Sequence, residues 1–589
     1  MSSTIQEGLK YNFEQDSESM ENDYVATDIQ WIYLNDQNSF NYSNGWVNFT
    51  NMNLIGASAD KFFDWSQAYV VIPYTVSLTP TNCVFGSAAT YQNNAFTATT
   101  VTPENAMAIA PKGNHHLIDL TYIKFNSISV NRGSNYVNFY ENEKLKMMSE
   151  EEYKLFGDIM NINWDNADSY TYNAALLEYN NNLKAGAYTT GVTPSSFANT
   201  GHLNRILKNN FDYVNASSNY AQNTLITANT LTDTLLSTCY TNTTTSLVFQ
   251  YTAVIPLAQI HDFYAKLPVV QNSTGFELRL QLNIAGNNSW TTTYACTPLG
   301  AFATPAGVQT PISITANQGV GHTCPFLLSQ AGTNLGTGLS IMPVAVLNNT
   351  SCSITITPTI GWLNGQTTVS GNPCRIYVPQ ISYTPSYTQM LLKQPKFRLL
   401  YDDYYVDTIL SVTGSGNVSK LFNAQLSRPR TLYIIPFLNP TCATTPANAV
   451  SPYLSCVSSA PNTSSICRIK NVQIQIGGQN IYIQPLQYNY DFYNNNLLPL
   501  LGKINGNSLK SRFQTGQITS SMWNKCYNTF TFDLQKCSDE IGDNGLRQFQ
   551  INFSIDSVTA RVYDFLLIVT YQNELYVDQV SGGVTSSKE

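Results

Sequence analysis

Charge is scarce in this sequence. Charged residues make up 12% of 589 positions, about half of the usual share. Basic residues are the scarcer kind: 30 Lys and Arg stand against 38 Asp and Glu, a formal net charge of −8. A general nucleic-acid binder needs a basic patch to displace counterions from phosphates, so this balance argues against that class. Near the start, Glu7, Glu14, Asp16, Glu18, Glu21, Asp23 and Asp28 face only Lys10. Residues 1–28 therefore read as a flexible acidic arm whose partner is not bare DNA or RNA.

Other absences exclude further classes. No run approaches the roughly 18 apolar residues of a membrane-spanning helix, and Phe565 to Thr570 has only the length of a strand. The opening Met1-Ser2-Ser3-Thr4 is not a secretory signal, and Ser2 does not fit myristoylation. The 11 cysteines include no C-x-x-C pair. The spacings Cys456 to Cys467 and Cys526 to Cys537 carry no metal signature, so buried thiols in a reducing compartment are expected. Sequons such as Asn48-Phe49-Thr50 and Asn242-Thr243-Thr244 are read as chance products of an Asn- and Thr-rich composition.

Catalytic signatures are missing too. Walker A, H-E-x-x-H and G-x-S-x-G patterns do not occur. Histidines number five: His115, His116, His202, His261 and His322. His115 and His116 precede a strand, and adjacent strand residues face opposite ways, which disfavours joint metal binding. His261-Asp262 imitates part of a triad without a nucleophile elbow. Gly319-Val320-Gly321 and Gly414-Ser415-Gly416 lack dinucleotide spacing and read as loops. Asp402-Asp403 and Asp539-Glu540 offer carboxylate pairs, but a glycosidase pair is defined across a cleft. The aromatic clusters Tyr401, Tyr404, Tyr405 and Tyr488, Tyr490, Phe492, Tyr493 could line a sugar platform; core and interface roles are the plainer reading. No catalytic, cofactor-binding or metal residue is assigned, and the chain is read as not an enzyme.

What is present is strand-forming material. The 37 Tyr and 27 Phe, with abundant Thr, Val and Ile, favour half-buried pleated surfaces. The length exceeds a single core and suggests two to four domains. Strands are predicted at Gly45–Met52, Ala68–Leu78, His116–Val130, Ser246–Ile255, Phe276–Ile284, Ser353–Ile360 and Arg375–Tyr383. Pro73 within Ala68–Leu78 suggests a bulge or an edge. Phe276–Ile284 alternates most cleanly, with five apolar residues on one face. A second series covers Phe397–Val412, Arg430–Leu438, Ile466–Leu486, Asn528–Leu534, Gln548–Ile555 and Ala560–Tyr576, with a Gly477-Gly478 hairpin turn. Helices are expected from the capping box Ser149–Glu152, over Leu203–Val214, at Ala258–Leu267 and at Asp491–Leu501. The Pro385, Lys393 and Pro395 segment marks the boundary between the series.

Two such series, each long enough for an eight-strand sandwich, organise the chain. The expected fold is all-β: two tandem eight-stranded jelly-roll β-sandwiches with long loops and a few short helices. The first jelly roll spans residues 29–390, with excursions at 162–245 and 285–340. The second spans residues 391–580, and 581–589 form a loose tail. No repeat aligns by eye, so duplication is inferred from layout alone.

The stretch Val248–Ile284 places an Ile-Pro-Leu turn, a short helix with an aromatic pair and a returning alternating strand in succession. It resembles double jelly-roll major capsid proteins of virophages and polinton-like viruses, a double-stranded DNA virus lineage. Arg375–Pro385 resembles the last strand of their first jelly roll; Trp523–Leu534 and Arg561–Tyr571 resemble late strands of the second. The resemblance implies a homotrimeric, pseudo-hexameric capsomer tiling an icosahedral shell around double-stranded DNA. It implies as partners neighbouring capsomers, penton and minor capsid proteins, and an inner membrane where the virion has one, with no sequence-specific nucleic-acid contact. It implies residence in the virion after assembly in the host cytoplasm. The competing class is a surface or fibre-type carbohydrate-binding β-protein, and a glycoside hydrolase ranks third.

Overall fold

The computed structural model describes residues 25–50, most of 61–147 and much of 247–586. The longest stretches outside the description are 1–24, 51–60, 99–106, 182–246, 296–310, 331–343, 440–466, 495–517 and 535–546.

Eight principal strands form the first half. They are β1 (Ala26–Asn35), β2 (Trp46–Thr50), β3 (Tyr69–Thr81), β4 (Ile118–Phe125), β5 (Ile128–Ser129), β6 (Leu247–Pro256), β7 (Glu277–Leu282) and β8 (Arg375–Tyr383). One sheet has the order β1-β8-β3-β6, and the other β2-β7-β4-β5, all antiparallel. Eight more follow: β9 (Lys396–Thr413), β10 (Asn417–Leu421), β11 (Pro429–Leu438), β12 (Ile469–Ile476), β13 (Gln479–Asn480), β14 (Phe530–Asp533), β15 (Phe549–Ile555) and β16 (Val562–Asp578). Their sheets run β9-β16-β11-β14 and β10-β15-β12-β13. The connectivity of the first half thus recurs strand for strand in the second. Sheet orders of first-eighth-third-sixth and second-seventh-fourth-fifth are the two interlocked Greek keys of a jelly roll. No described sheet mixes strands from the two halves.

Period-two patterning explains the strands. In β7, Leu278, Leu280 and Leu282 are buried while Glu277, Arg279 and Gln281 point away from the core. In β15, Phe549, Ile551, Phe553 and Ile555 are buried in the same rhythm. In β3, Val70, Ile72, Tyr74, Val76 and Leu78 are wholly buried. β16 differs: Phe565 through Tyr571 are buried without a break, because both faces of that strand are covered. At the β12–β13 hairpin, Gly477 (φ 60°) and Gly478 (φ 84°) supply the left-handed pair that a two-residue turn requires.

The structure also departs from the expectations. Pro73 lies inside the central strand β3 and makes no bulge. One edge of β3 changes partner there: Tyr69–Val71 pair with β8 and Tyr74–Thr81 with the strand Ser351–Ile360. The donor that proline lacks falls in the gap between partners. Residues 285–340, expected as loops, contain strands Trp290–Ala295 and Pro311–Ala316, which continue the first sheet beyond Ser351–Ile360. Phe326–Gln330 pairs with Met107–Pro111. β1 begins at Ala26, so the last three positions assigned to the acidic arm belong to a strand. The boundary segment forms a helix, Pro385–Lys393, with proline in its first turn where no amide donor is missed. Helix α1 (Val137–Lys146) precedes the predicted capping box. Ser149–Glu152 and Leu203–Val214 lie outside the described residues, and residues 490–494 are helical where Asp491–Leu501 was expected.

Leu280 sits at the centre of β7 with no exposed surface. Replacing it with Ala should lower unfolding free energy by about 2–5 kcal/mol, through lost transfer energy and a residual cavity. Denaturant titration checks this; a loss below measurement error would contradict the packing described.

Candidate functional site

The chemistry-bearing side chains converge at the joint between the two sandwiches. Three helices of the first half line it: α1, α2 (Leu257–Ile260) and α3 (Asp262–Lys266). α1 starts behind Tyr136, whose φ of 61° turns the chain, and it is buried on nearly every side. Burying a helix that carries Glu141, Glu143, Lys144 and Lys146 requires internal pairing. Lys146 Nζ lies 2.7 Å from Glu143 Oε1, and Lys144 Nζ 2.6 Å from Glu141 Oε1.

Aromatic packing closes the joint. Tyr140 of α1 stacks on Tyr404 of β9 at 4.3 Å. Phe139 meets Phe437 of β11 edge-on at 5.5 Å, and Phe263 of α3 meets Tyr401 at 5.5 Å. Hydrogen bonds cross as well: Tyr401 Oη donates to the Val130 carbonyl at 2.8 Å, and the Asp402 amide donates to Asp262 Oδ2 at 2.8 Å. One continuous apolar cluster runs through both halves. Aromatic pairs of this geometry add about 0.5–1.5 kcal/mol each beyond area burial.

Among the described residues, the joint contains a constellation that resembles catalytic machinery. His261 Nε2 lies 3.4 Å from Asp403 Oδ1, and Tyr571 Oη donates to Asp403 Oδ2 at 2.8 Å. His261 Nδ1 accepts the Phe263 amide at 3.2 Å and so caps α3. That bond leaves the ring proton on Nε2, directed at Asp403. With both ring nitrogens engaged and the side chain 1% exposed, His261 has no basic site open to a substrate. It is a bolt between sandwiches. Asp262, its neighbour, instead pairs with Lys266 at 2.8 Å.

Burial perturbs the acids here. It pushes the Glu141 carboxyl up to about 7, against the opposing pull of Lys144. It raises Asp402 too, helped by the charge of Asp262 and opposed by Arg430, Lys266 and Lys144. Perturbed acids mark many active sites; here Glu141 is buried beside Lys144, and the half-buried Asp402 pairs with Arg430 at 3.2 Å.

The remaining candidates disperse. His115 and His116 occupy a short 3-10 turn, Asn114–Leu117, and not alternating strand positions. Their rings lie 4.1 Å apart, both buried, so the expectation that they face opposite ways is corrected by the turn geometry. Among the described residues no group of three or more His, Cys, Asp or Glu could hold a metal ion. His202, His322, Gly319–Gly321 and Asp539-Glu540 lie outside the described residues; Gly414–Gly416 form the β9–β10 turn. Tyr401 and Tyr404 are joint residues and Tyr488 and Tyr493 are buried core, while Tyr405, Tyr490 and Phe492 are half-buried against that core, so neither cluster presents a fully exposed row of rings. Among the cysteines, Cys324, Cys374 and Cys467 are buried thiols outside any disulfide, and burial pushes Cys467 up to about 12.

One feature escaped the sequence reading. β1 exposes Ile29, Trp31 and Tyr33 on a single face. The alternation of Ala26–Asn35 was legible, but its position against the acidic segment hid it.

No protein-family model matches the sequence, and no curated protein sequence matches it. Solved structures do. A chain of the Sputnik virophage structure aligns over 96% of this chain and 90% of its own, with 12% identity and a TM-score of 0.42. Faustovirus major capsid protein aligns over 94% and 91%, with 11% identity and a TM-score of 0.42. The mavirus major capsid protein aligns over 98% and 94%, with 10% identity and a TM-score of 0.32. The chain is similar in fold to viral major capsid proteins.

The raised Glu141 makes a signed prediction. Its folded pKa exceeds the ordinary carboxylate value, so between about pH 4.5 and 7 the folded state holds more protons than the unfolded state. This group's contribution therefore falls as pH rises through that window. Glu141→Gln should gain on wild type by a few degrees in melting temperature between pH 5 and pH 8. A difference that stays constant across that range would contradict the assignment.

Proposed function

We propose that the chain is a major capsid protein whose two jelly rolls assemble, as a homotrimer, into pseudo-hexameric capsomers of an icosahedral shell. The observation that carries this reading is the duplicated connectivity: two sandwiches of identical strand order, fused through an aromatic joint. A fold alone does not dictate a function. Here, however, the buried acids and histidine serve the joint, and the conspicuous exposed feature is an aromatic sheet face suited to protein contact. The stretch that resembles capsid proteins in sequence, Val248–Ile284, coincides with β6, α2, α3 and β7. Two similar sandwiches repeated by a three-fold axis give six similar units, a footprint that tiles.

Residues 29–390 and 391–580 are proposed as the two structural units, with residues 162–245 and 285–340 contributing the outward tower or interlocking neighbours. Penton and minor capsid proteins are the proposed further partners, in a virion assembled inside the host cell. A carbohydrate-binding role is the weaker reading, since the aromatic clusters that suggested it are buried or half-buried against the core.

Sedimentation of the purified full chain should give a stable trimer, and electron microscopy of assembled material should give hexagonal capsomers. A monomer at micromolar concentration would overturn the reading. The acidic segment makes a separate prediction. Deleting residues 1–23 should leave the trimer intact and weaken shell formation; assembly at wild-type yield and stability would remove the proposed role of the arm.

A further inference from the structure

Three carboxylates from three elements meet where the sandwiches join: Glu141 of α1, Asp262 of α3 and Asp402 of β9. Each has its own cation. Lys144 Nζ lies 2.6 Å from Glu141 Oε1, Lys266 Nζ 2.8 Å from Asp262 Oδ2 and Arg430 Nε 3.2 Å from Asp402 Oδ1. The Asp402 amide donates to Asp262 Oδ2, so Asp262 bonds across the joint. Its charge acts on both of the other carboxyls. The remaining ionisable groups of the packed elements are engaged elsewhere. Glu143 pairs with Lys146 within α1, and His261 and Tyr571 hold Asp403. Asp533 of β14 acts on Tyr433, and burial keeps the Tyr140 and Tyr433 hydroxyls well above their ordinary range.

Glu141 is the most enclosed of the three. Its side chain is 2% exposed, against 24% for Asp262 and 27% for Asp402. Its second oxygen, Oε2, is buried with no hydrogen-bond partner among the described residues. A carboxylate anion calls for donors on both oxygens, and a neutral carboxyl loses far less on burial. Lys144 does not depend on that anion. Its Nζ also donates to the Gln259 carbonyl at 3.1 Å and lies 4.9 Å over the Tyr140 ring. A proton on Glu141 therefore removes a buried charge, leaves Lys144 with partners and relieves the repulsion from Asp262. When α1 lifts away, Glu141 regains water and its ordinary acidity. The closed joint holds a proton that the open joint releases, so acid favours closure.

We infer that the joint is a proton-operated latch: proton uptake by the Glu141–Asp262–Asp402 cluster clamps α1 onto the β9-β16-β11 sheet, and proton release between mildly acidic and mildly alkaline pH lets α1 lift from the second sandwich while the sandwich cores stay folded. Strand β15 shows why the cores are spared. Its seven residues carry no ionisable group, and four of them face the interior of the second sandwich. The latch acts between the two halves of one chain and does not rest on the capsomer reading.

Hydrogen exchange of the full chain at pH 6 and pH 8, corrected for intrinsic exchange rates, tests the latch. A carboxyl moved by burial from its ordinary 4.5 to about 7 should raise the protection of α1 amides about tenfold from pH 8 to pH 6. Amides of β15 should change little. Glu141→Gln is neutral at both pH values and should lose the rise. Asp262→Asn keeps an oxygen for the Asp402 amide but removes the charge, and should move the midpoint of the rise to lower pH. A helix that merely packs has no midpoint to move. Equal α1 protection at pH 6 and pH 8 in the wild type would overturn the inference. So would a rise matched in β15, which reports the whole fold, or a rise undiminished in Glu141→Gln.

Discussion

A β-sandwich hides one face of each sheet in its own core, and the fate of the other face governs this molecule. Where an outer face is rich in tyrosine and aliphatic residues, water is a poor neighbour and another element must lie on it. Helix α1 meets that demand for the second sandwich. Its insertion over Tyr404, Tyr433 and Phe437 converts two sandwiches into one body with a single apolar cluster. The price is a helix whose charged groups lose water, met by the pairs Lys144–Glu141 and Lys146–Glu143 and reflected in the raised Glu141 carboxyl.

That constraint also explains why residues resembling catalytic groups gather where no substrate reaches them. A joint between two sheets is where long polar side chains can span from one half to the other, so His261, Asp403 and Tyr571 meet there. The geometry is that of a base and an orienter. The surroundings are those of a sealed interior, with the imidazole spent on the α3 cap and on Asp403. Proximity alone would mislead; exposure and the accounting of each ring nitrogen separate a bolt from a triad.

Strands with strong alternation were legible from residues alone. β7, β8 and the Gly477-Gly478 hairpin stand close to where periodicity and turn chemistry put them. The misses share a cause. Trp290–Ala295 and Pro311–Ala316 are β-branched runs among Gly and Pro, and their strand character depends on Ser351–Ile360 as a distant partner. Pro73 in a central strand depends on a change of neighbour that no local window contains. α1 carries polar residues all round, so its burial cannot be read from periodicity; it follows from what packs against it.

By itself, the sequence determined the class: scarce charge, dense aromatics and period-two runs in two series permit little besides stacked antiparallel sheets. It also determined which faces are apolar, because side-chain direction alternates along a strand regardless of context. Only the tertiary structure decided which strands are neighbours, and with that the identical order of the two halves. Only it decided which apolar face is covered and which stays open. Pairing and coverage join residues hundreds of positions apart, as with Tyr140 and Tyr404 or Trp31 and Tyr69 beside Tyr377, and contacts of that range leave no local signature in the chain.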